Sequence, residues 1–211
     1  MITVHHLENS RSQRILWMLE ELGMDYEIRR YKRQPDMRAP VELRRIHPLG
    51  KSPIIEDQTE TGSVVLAETG GICEYLVDKA GGRLGMPQDP ENRLRYRQFL
   101  HYAEGSVMPV LFSILVVSKV PILGKYAASK VRPMLSVHLD YIESELASRP
   151  WFAGNALTAA DIMMSFPLEA ARSRAGLDEK RPATIAWLDR IHARPAYRTA
   201  LERGGDYAYA S

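Results

Sequence analysis

The sequence predicts two unlike parts. Residues 1–82 read as an α/β domain of order β-α-β-α-β-β-α, and residues 93–211 as an all-helical domain, with a linker at 83–92. Three observations carry this. Alternating apolar segments and helix-period apolar segments follow one another only before Gly82. The stretch 83–90 then gathers Gly85, Pro87 and Pro90, as linkers do. Beyond it no segment alternates like a strand.

Residues 2–6, Ile-Thr-Val-His-His, form the first predicted strand, whose adjacent His5 and His6 point to opposite faces and so do not share a metal. A polar turn at 7–12 leads into a helix whose stripe is Ile15, Leu16, Met18, Leu19 and Leu22. Ser10 or Ser12 suits its N-cap, and Gly23 its stop. Residues 26–31 alternate as a second strand, and residues 39–46 suit a short helix that ends before His47-Pro48. Strands at 54–57 and 64–67 flank a turn at 61–63, and a helix at 69–79 ends at Gly81-Gly82. In the second part, 91–119, 123–148, 158–174 and 182–203 are helical, with Pro133 and Pro167 expected to kink or break their helices. Thr158-Ala-Ala-Asp161 resembles a capping box.

Composition bounds the function. A net charge of +2 over 211 residues argues against a polyanion binder, and the basic run at 29–33 reads as a solvated face, so no nucleic-acid partner is expected. The single cysteine, Cys73, excludes a disulfide framework and a CxxC pair, which fits a reducing compartment. It lies in a helical pattern as a packed thiol. The first residues lack a signal-peptide pattern, and the uncharged run 105–118 falls short of the roughly 20 residues of a spanning helix. A buried helix, no membrane and a cytoplasmic location are the expectations. No metal is expected, because the six histidines show no ligand spacing with cysteines or acids. GxGxxG, Walker and GxSxG motifs are absent.

Three stretches fall where ligands bind in open α/β sheets. Asn9-Ser10-Arg11-Ser12 opens the first helix, whose free N–H groups favour an anion, including a thiolate; both serines could equally serve as caps. Lys51-Ser52-Pro53-Ile54 sets a proline against a strand, so Pro53 sits at a strand start, at an edge or in a turn. Cis and trans forms both stand open from the residues alone. Glu68-Thr69 leads into the third helix. Thr69 can meet a carboxylate and Glu68 an ammonium, together the amino-acid end of a small molecule; the other reading is a cap with a solvated glutamate.

Taken together and in this order, these stretches resemble the cytosolic glutathione transferase family along the whole chain. Asn9-Ser10-Arg11-Ser12 before Arg14-Ile-Leu-Trp-Met-Leu-Glu-Glu-Leu is similar to its first active-site turn and helix. Residues 31–33, 38–40 and 46–53 are similar to a fungal and bacterial serine-type subgroup. Trp151-Phe-Ala-Gly-Asn followed by Leu157-Thr-Ala-Ala-Asp161 is similar to its C-terminal folding motif. The resemblance implies a thioredoxin-like first domain and a homodimer that conjugates glutathione to hydrophobic electrophiles in detoxification. It implies that Pro53 is cis, that Ile54 beside Ser52 pairs its backbone with the cysteinyl part, and that Glu68 and Thr69 hold the γ-glutamyl group. Lys51, with His47, would face the glycine carboxylate, and Glu104 of a second copy would complete the glutamyl site. Ser10 would donate to the thiolate, with Ser12 as the alternative and Asn9 or Arg11 assisting. Met108, Phe112 and Leu115 would line the electrophile site, between the first helix and the helical domain, or serve as core. A glutathione-dependent peroxidase or disulfide reductase, and a non-catalytic binding or interaction protein on the same scaffold, are the competing readings.

Overall fold

A computed structural model describes residues 1–210. Strand β1 (Ile2–Leu7) is buried at every position but Thr3, as an inner strand covered on both faces must be. β2 (Tyr26–Tyr31) runs parallel to it, with Ile2 opposite Tyr26 and Leu7 opposite Tyr31. A parallel pair needs a crossover, which helix α1 (Ser12–Leu22) provides. β3 (Ile54–Thr59) and β4 (Gly62–Ala67) complete a sheet of order β2-β1-β3-β4, both new pairings being antiparallel. Both strands run further than the sequence predicts, because the turn is tight enough to keep Thr59 opposite Gly62. Pro53 stands just ahead of β3, an inner strand, so its missing donor costs no ladder bond. The Ser52–Pro53 peptide is cis.

Helix α1 stops where predicted. Gly23 takes a left-handed φ of 58°, and its N–H bonds Glu20 O while Met24 N–H returns to Leu19 O. Helix α2 (Leu43–Ile46) is a single turn rather than the predicted eight residues; Ala39, before Pro40, is steered out of helical geometry, and the carbonyls of residues 40–42 accept i to i+3 turn bonds from Leu43, Arg44 and Arg45. Helix α3 (Thr69–Lys79) follows β4 directly.

The helix-rich stretch at 182–203 holds two helices, α8 (Pro182–His192) and α9 (Pro195–Gly204), because Pro195 can start a helix but not continue one. Helix α9 packs on α1. Arg194 clamps both carboxylate oxygens of Glu21 at 2.5 and 2.8 Å, Arg203 reaches Glu20 at 2.7 Å and stacks on Tyr26, and Trp17 meets Tyr197 edge-on at 5.4 Å. Gly204 lets the two helices approach closely: a Cβ there would lie 2.6 Å from Gln13 Oε1 and 3.0 Å from Leu16 Cδ1, so those side chains would have to shift. One compact unit is therefore Met1–Gly85 with His192–Ala210, and the other is Met86–Ile191. The last stretch of chain belongs with the sheet, where the sequence reading placed it in the helical domain.

In the second unit, α4 (Pro90–Tyr102) is capped by the Asp89 carboxylate on Asn92 N–H at 2.9 Å. A π-turn at Ala103–Val107 leads to α5 (Met108–Ser118). Pro109 lacks the N–H that would bond four residues back, which accounts for the irregular turn just before it. The expected buried helix at 105–118 is buried along one stripe only, through Met108, Val110, Leu111 and Ile114, while Phe112 and Val116 are exposed. The run Pro90–Ser118 is long and apolar enough to cross a membrane by length and composition alone. Neither Pro133 nor Pro167 breaks its helix; α6 (Gly124–Ala147) and α7 (Ala159–Arg174) continue through them. Ser129, whose carbonyl loses its partner to Pro133, is exposed to water, and α7 is held against α4.

Asp161 anchors this unit. Its fully buried carboxylate accepts Phe152 N–H, Thr158 N–H and Thr158 Oγ1–H, each at 3.0 Å, and Trp187 Nε1–H at 3.3 Å, so the capping box also ties α7 to α8 and to the 151–154 turn. Burial pushes its carboxyl up to about 6, against the pull of these donors. Asp161→Ala is expected to cost about 3 kcal/mol in urea unfolding, by stranding buried donors. Between the ordinary carboxylate value and 6 the folded chain holds the extra proton. This group's contribution therefore rises as pH falls from about 6 towards 4 and falls as pH rises through 6. The stability gap between wild type and Asp161→Ala should widen over that interval.

Candidate active site

The sheet register gathers three chain segments at one end. β1 reaches that end at Leu7; β3, antiparallel to it, starts there with Ile54 opposite His5; β4, antiparallel to β3, ends there with Ala67 opposite Ile54. The turn 8–11, the approach 51–53 and the step 68–69 are therefore neighbours, and α1 and α3 both begin at this end. The partial positive charge of both helix starts favours an anion, while the first N–H groups of α1, on Ser12, Gln13 and Arg14, are taken by Ser10 Oγ, Ser10 O and Arg11 O.

The two candidate serines differ in surroundings. Ser10 Oγ is 2.7 Å from Ser12 Oγ and accepts Ser12 N–H at 3.2 Å. Ser12 is 0 % exposed, and its Oγ is committed to Leu7 N–H at 3.2 Å, His6 Nδ1 at 2.9 Å and Leu7 O at 3.3 Å. Ser10 is 6 % exposed and is the outer member of the pair. Neither serine is the N-cap residue of α1, which is Arg11. Asn9 takes a left-handed φ of 50°, and its Oδ1 accepts Ala208 N–H at 2.7 Å, so the turn is held by the returning C-terminal segment.

Ser52 Oγ donates to His5 O at 2.9 Å and accepts Leu7 N–H at 3.3 Å, tying the Pro53 turn to β1. Ile54, the residue expected to offer its backbone to a ligand, is enclosed in the ladder between His5 and Ala67 and is 0 % exposed. Ser52 is the half-buried residue whose backbone stays outside that ladder. Lys51 is exposed beside it, and His47 is half-buried with Nδ1 accepting Leu49 N–H at 3.3 Å.

Thr69 is buried, and Arg14 Nη2, itself buried in α1, donates to its Oγ1 at 3.4 Å, fixing the start of α3 against α1. Glu68 is exposed with φ 72° and ψ 117°, a conformation L residues rarely adopt, and its carbonyl accepts Ile72 N–H at 2.9 Å. Such a backbone is costly and typical of a ligand clamp.

The remaining expected residues lie in the helical unit. Glu104 is half-buried in the π-turn. Met108 is core, Phe112 is exposed, and Leu115 lines a cavity of about 100 Å³ with Leu111, Ile114, Ser118, Arg132, Arg174 and Ala175. Sequence reasoning missed that cavity's arginines and missed His6. Burial and the nearby Arg30 bring the His6 imidazole down to about 4, so it is neutral at pH 7. Its only sequence signal was the alternation that turned it away from His5.

A four-stranded sheet of thioredoxin type followed by a helical unit, with polar groups gathered at one sheet end, defines the class. Residues 10–79 match the N-terminal domain of the glutathione S-transferase family, and residues 107–195 match its C-terminal domain. Glutathione S-transferase 3 of Schizosaccharomyces pombe is 39 % identical, over 98 % of this chain and 89 % of its own. A crystal structure of a glutathione S-transferase from Actinobacillus pleuropneumoniae is 31 % identical, with a TM-score of 0.85 over 99 % of this chain and 94 % of that one. A glutathione transferase family member from Pseudomonas fluorescens, solved with two glutathione bound, is 25 % identical with a TM-score of 0.81, over 95 % of this chain and 92 % of that one. The chain belongs to the cytosolic glutathione S-transferase family, and it is a transferase enzyme of that family.

The Glu68 backbone makes a prediction that needs no ligand. Glu68→Gly relieves the left-handed φ and is expected to raise unfolding free energy by about 1 kcal/mol, read as a higher thermal midpoint. A lower midpoint would mean that Glu68 holds the turn through its side chain.

Proposed function

We propose that the protein binds glutathione at the gathered sheet end, holds its thiol as a thiolate with Ser10, and conjugates it to hydrophobic electrophiles. The single observation that carries this reading is the convergence of Ser10, Ser52, Glu68 and Thr69 at one end of the sheet, where two helices begin. The groups there suit one molecule. Thr69 at the start of α3 meets the γ-glutamyl carboxylate, Glu68 meets its ammonium, and Lys51 with His47 faces the glycine carboxylate. The backbone of Ser52, outside the ladder, pairs with the cysteinyl part as an added strand residue would. The glutathione bound to the Pseudomonas fluorescens relative supports this choice of ligand.

Ser10 is assigned as the thiolate's donor, because Ser12 is enclosed and committed to other partners. A free thiol has a pKa near 8.5, and lowering it by ~2 units takes about 2.7 kcal/mol of preferential thiolate stabilisation. One hydrogen bond to a charged sulfur together with the α1 N-terminus is of that size. Serine acts here as a donor and not as a base, since its own proton is held far too tightly. The thiolate then attacks an electrophilic carbon.

Calorimetric titration with reduced glutathione, in two buffers of different ionisation heat, tests the reading. Binding with release of a fractional proton is the expected result; binding without it would make the protein a glutathione carrier. Glu68→Ala should abolish binding while the fold persists, and unchanged affinity in that variant would overturn the site. Ser10→Ala should lower turnover with an aryl halide about a hundredfold while weakening glutathione binding far less. Faster turnover of a hydroperoxide than of the aryl halide would favour the peroxidase reading.

A further inference from the structure

We propose that the turn joining α5 to α6, residues 116–126, is a membrane-contacting tip that sets its apolar side chains into the interface of an anionic lipid bilayer. The inference stands on the helical unit alone and not on the glutathione reading. Helix α5 is apolar on both faces. Met108, Val110, Leu111 and Ile114 are buried, while Phe112 and Val116, one turn apart, are exposed. That second stripe leads into the turn. Val120, Leu123 and Tyr126 are exposed there too, and Ile122 is 100 % exposed. Large apolar residues scattered singly are ordinary on a protein surface; a contiguous group marks a contact.

The backbone of the turn suits removal from water. Gly124 opens α6 directly against the end of α5: a Cβ on it would lie 2.6 Å from Ser118 O and 2.8 Å from Val117 O. In so tight a closure, Leu123 N–H returns to Pro121 O at 2.7 Å and Gly124 N–H to Val120 O at 2.9 Å. Lys119 and Val120 N–H are met by Val116 O and Val117 O, and Pro121 has no N–H to satisfy. Ser118 Oγ donates to Leu115 O. These donors carry their partners with them, so moving the tip out of water strands none of them. Ile122 takes a left-handed φ of 66°. A β-branched residue there is a conformational outlier, of the kind found at ligand clamps. Glycine would make the same turn without strain. The isoleucine side chain gains no buried contact in return, so what it serves lies outside the chain.

Charge selects the occupant. Residues 105–139 contain no Asp or Glu, where 26 acids spread evenly over 211 residues would place about four. The same stretch carries Lys119, Lys125, Lys130 and Arg132, all exposed. None of the four pairs with an acid among the described residues. Lys119 and Lys125 bracket the apolar turn, and Lys130 lies over the Tyr126 ring at 5.1 Å. Lysines at the rim of an apolar tip lay their stems along hydrocarbon and hold their ammonium groups at lipid phosphates. A second copy seated on the same turn would instead set like charges together. The sequence reading expected no membrane because the uncharged run fell short of a span; a tip that enters one leaflet needs no span.

Flotation of the full chain with lipid vesicles tests this. The wild-type protein should float with vesicles of phosphatidylserine and phosphatidylcholine in equal parts, and bind pure phosphatidylcholine far more weakly. Lys119→Gln and Lys125→Gln should each weaken binding to the mixed vesicles about fivefold. Ile122→Ser combined with Leu123→Ser should weaken it about tenfold or more. Leu123→Trp gives the tip a reporter, since Trp17, Trp151 and Trp187 are all buried, and brominated lipid should quench it. Ile122→Gly separates the anchor from the strain: it should melt higher than wild type and still bind vesicles less. Far-ultraviolet circular dichroism should match wild type in every variant. A wild-type protein that floats with neither vesicle overturns the proposal, and so does binding that survives the double serine substitution. Flotation released wholly by salt, with Leu123→Trp unquenched, means adsorption of a basic surface and overturns insertion. If the wild type without vesicles sediments as a larger assembly that the double substitution reduces, the tip binds protein and the lipid reading fails.

Discussion

The register that sets Ile54 between His5 and Ala67 is the constraint on which the rest depends. It is held by burial, since β1 is enclosed on both faces and Ile54 and Ile55 are fully covered. A slip of one residue would turn that apolar set to the opposite face. The same register brings three turns from distant parts of the sequence to one end of the sheet. Site geometry here is a by-product of core packing, so no residue of the site has to hold the others in place by itself.

Polar contacts then fix the fine placement. Ser52 ties the Pro53 turn to β1, Arg14 ties Thr69 to α1, and Ala208 N–H holds Asn9. Each spans many residues of sequence and closes a gap between two segments of the same end. The helical unit uses the same device at Asp161, where one carboxylate serves two helices and a turn. A buried charge with that many donors costs solvation and returns geometry.

Most of the element order was legible in the sequence, because hydrophobic period and glycine or proline stops are local signals. Gly23, the Thr158–Asp161 box and the step at Glu68-Thr69 could be placed from neighbours a few residues away. The misreadings share a different character. Pro195 divides a stretch read only as helix-rich, Pro133 and Pro167, expected to kink or break their helices, do not break them, and the π-turn before Pro109 went unseen; each outcome depends on whether surrounding packing can absorb a lost bond. The candidate serines were visible and the resemblance put Ser10 first, but the inaccessibility of Ser12 was not legible. It follows from Ser12 being enclosed by Leu7 and His6. Likewise, a proline before an apolar pair does not say which neighbour keeps a free backbone; pairing on both sides of Ile54 does.

The sheet unit is completed by a segment from far along the chain, beyond the helical unit. Helix α9 fills the face of α1, Gly204 meets Gln13 and Leu16, and Ala208 reaches back to Asn9, across nearly the full length of the chain. During synthesis, residues 1–85 emerge with the α9-facing side of α1 uncovered, and the whole helical unit is made before that cover arrives. The sheet unit's assembly therefore waits for α9 in its final step, and a nascent chain carries an exposed apolar seam around Trp17 until residue 197 has cleared the ribosome.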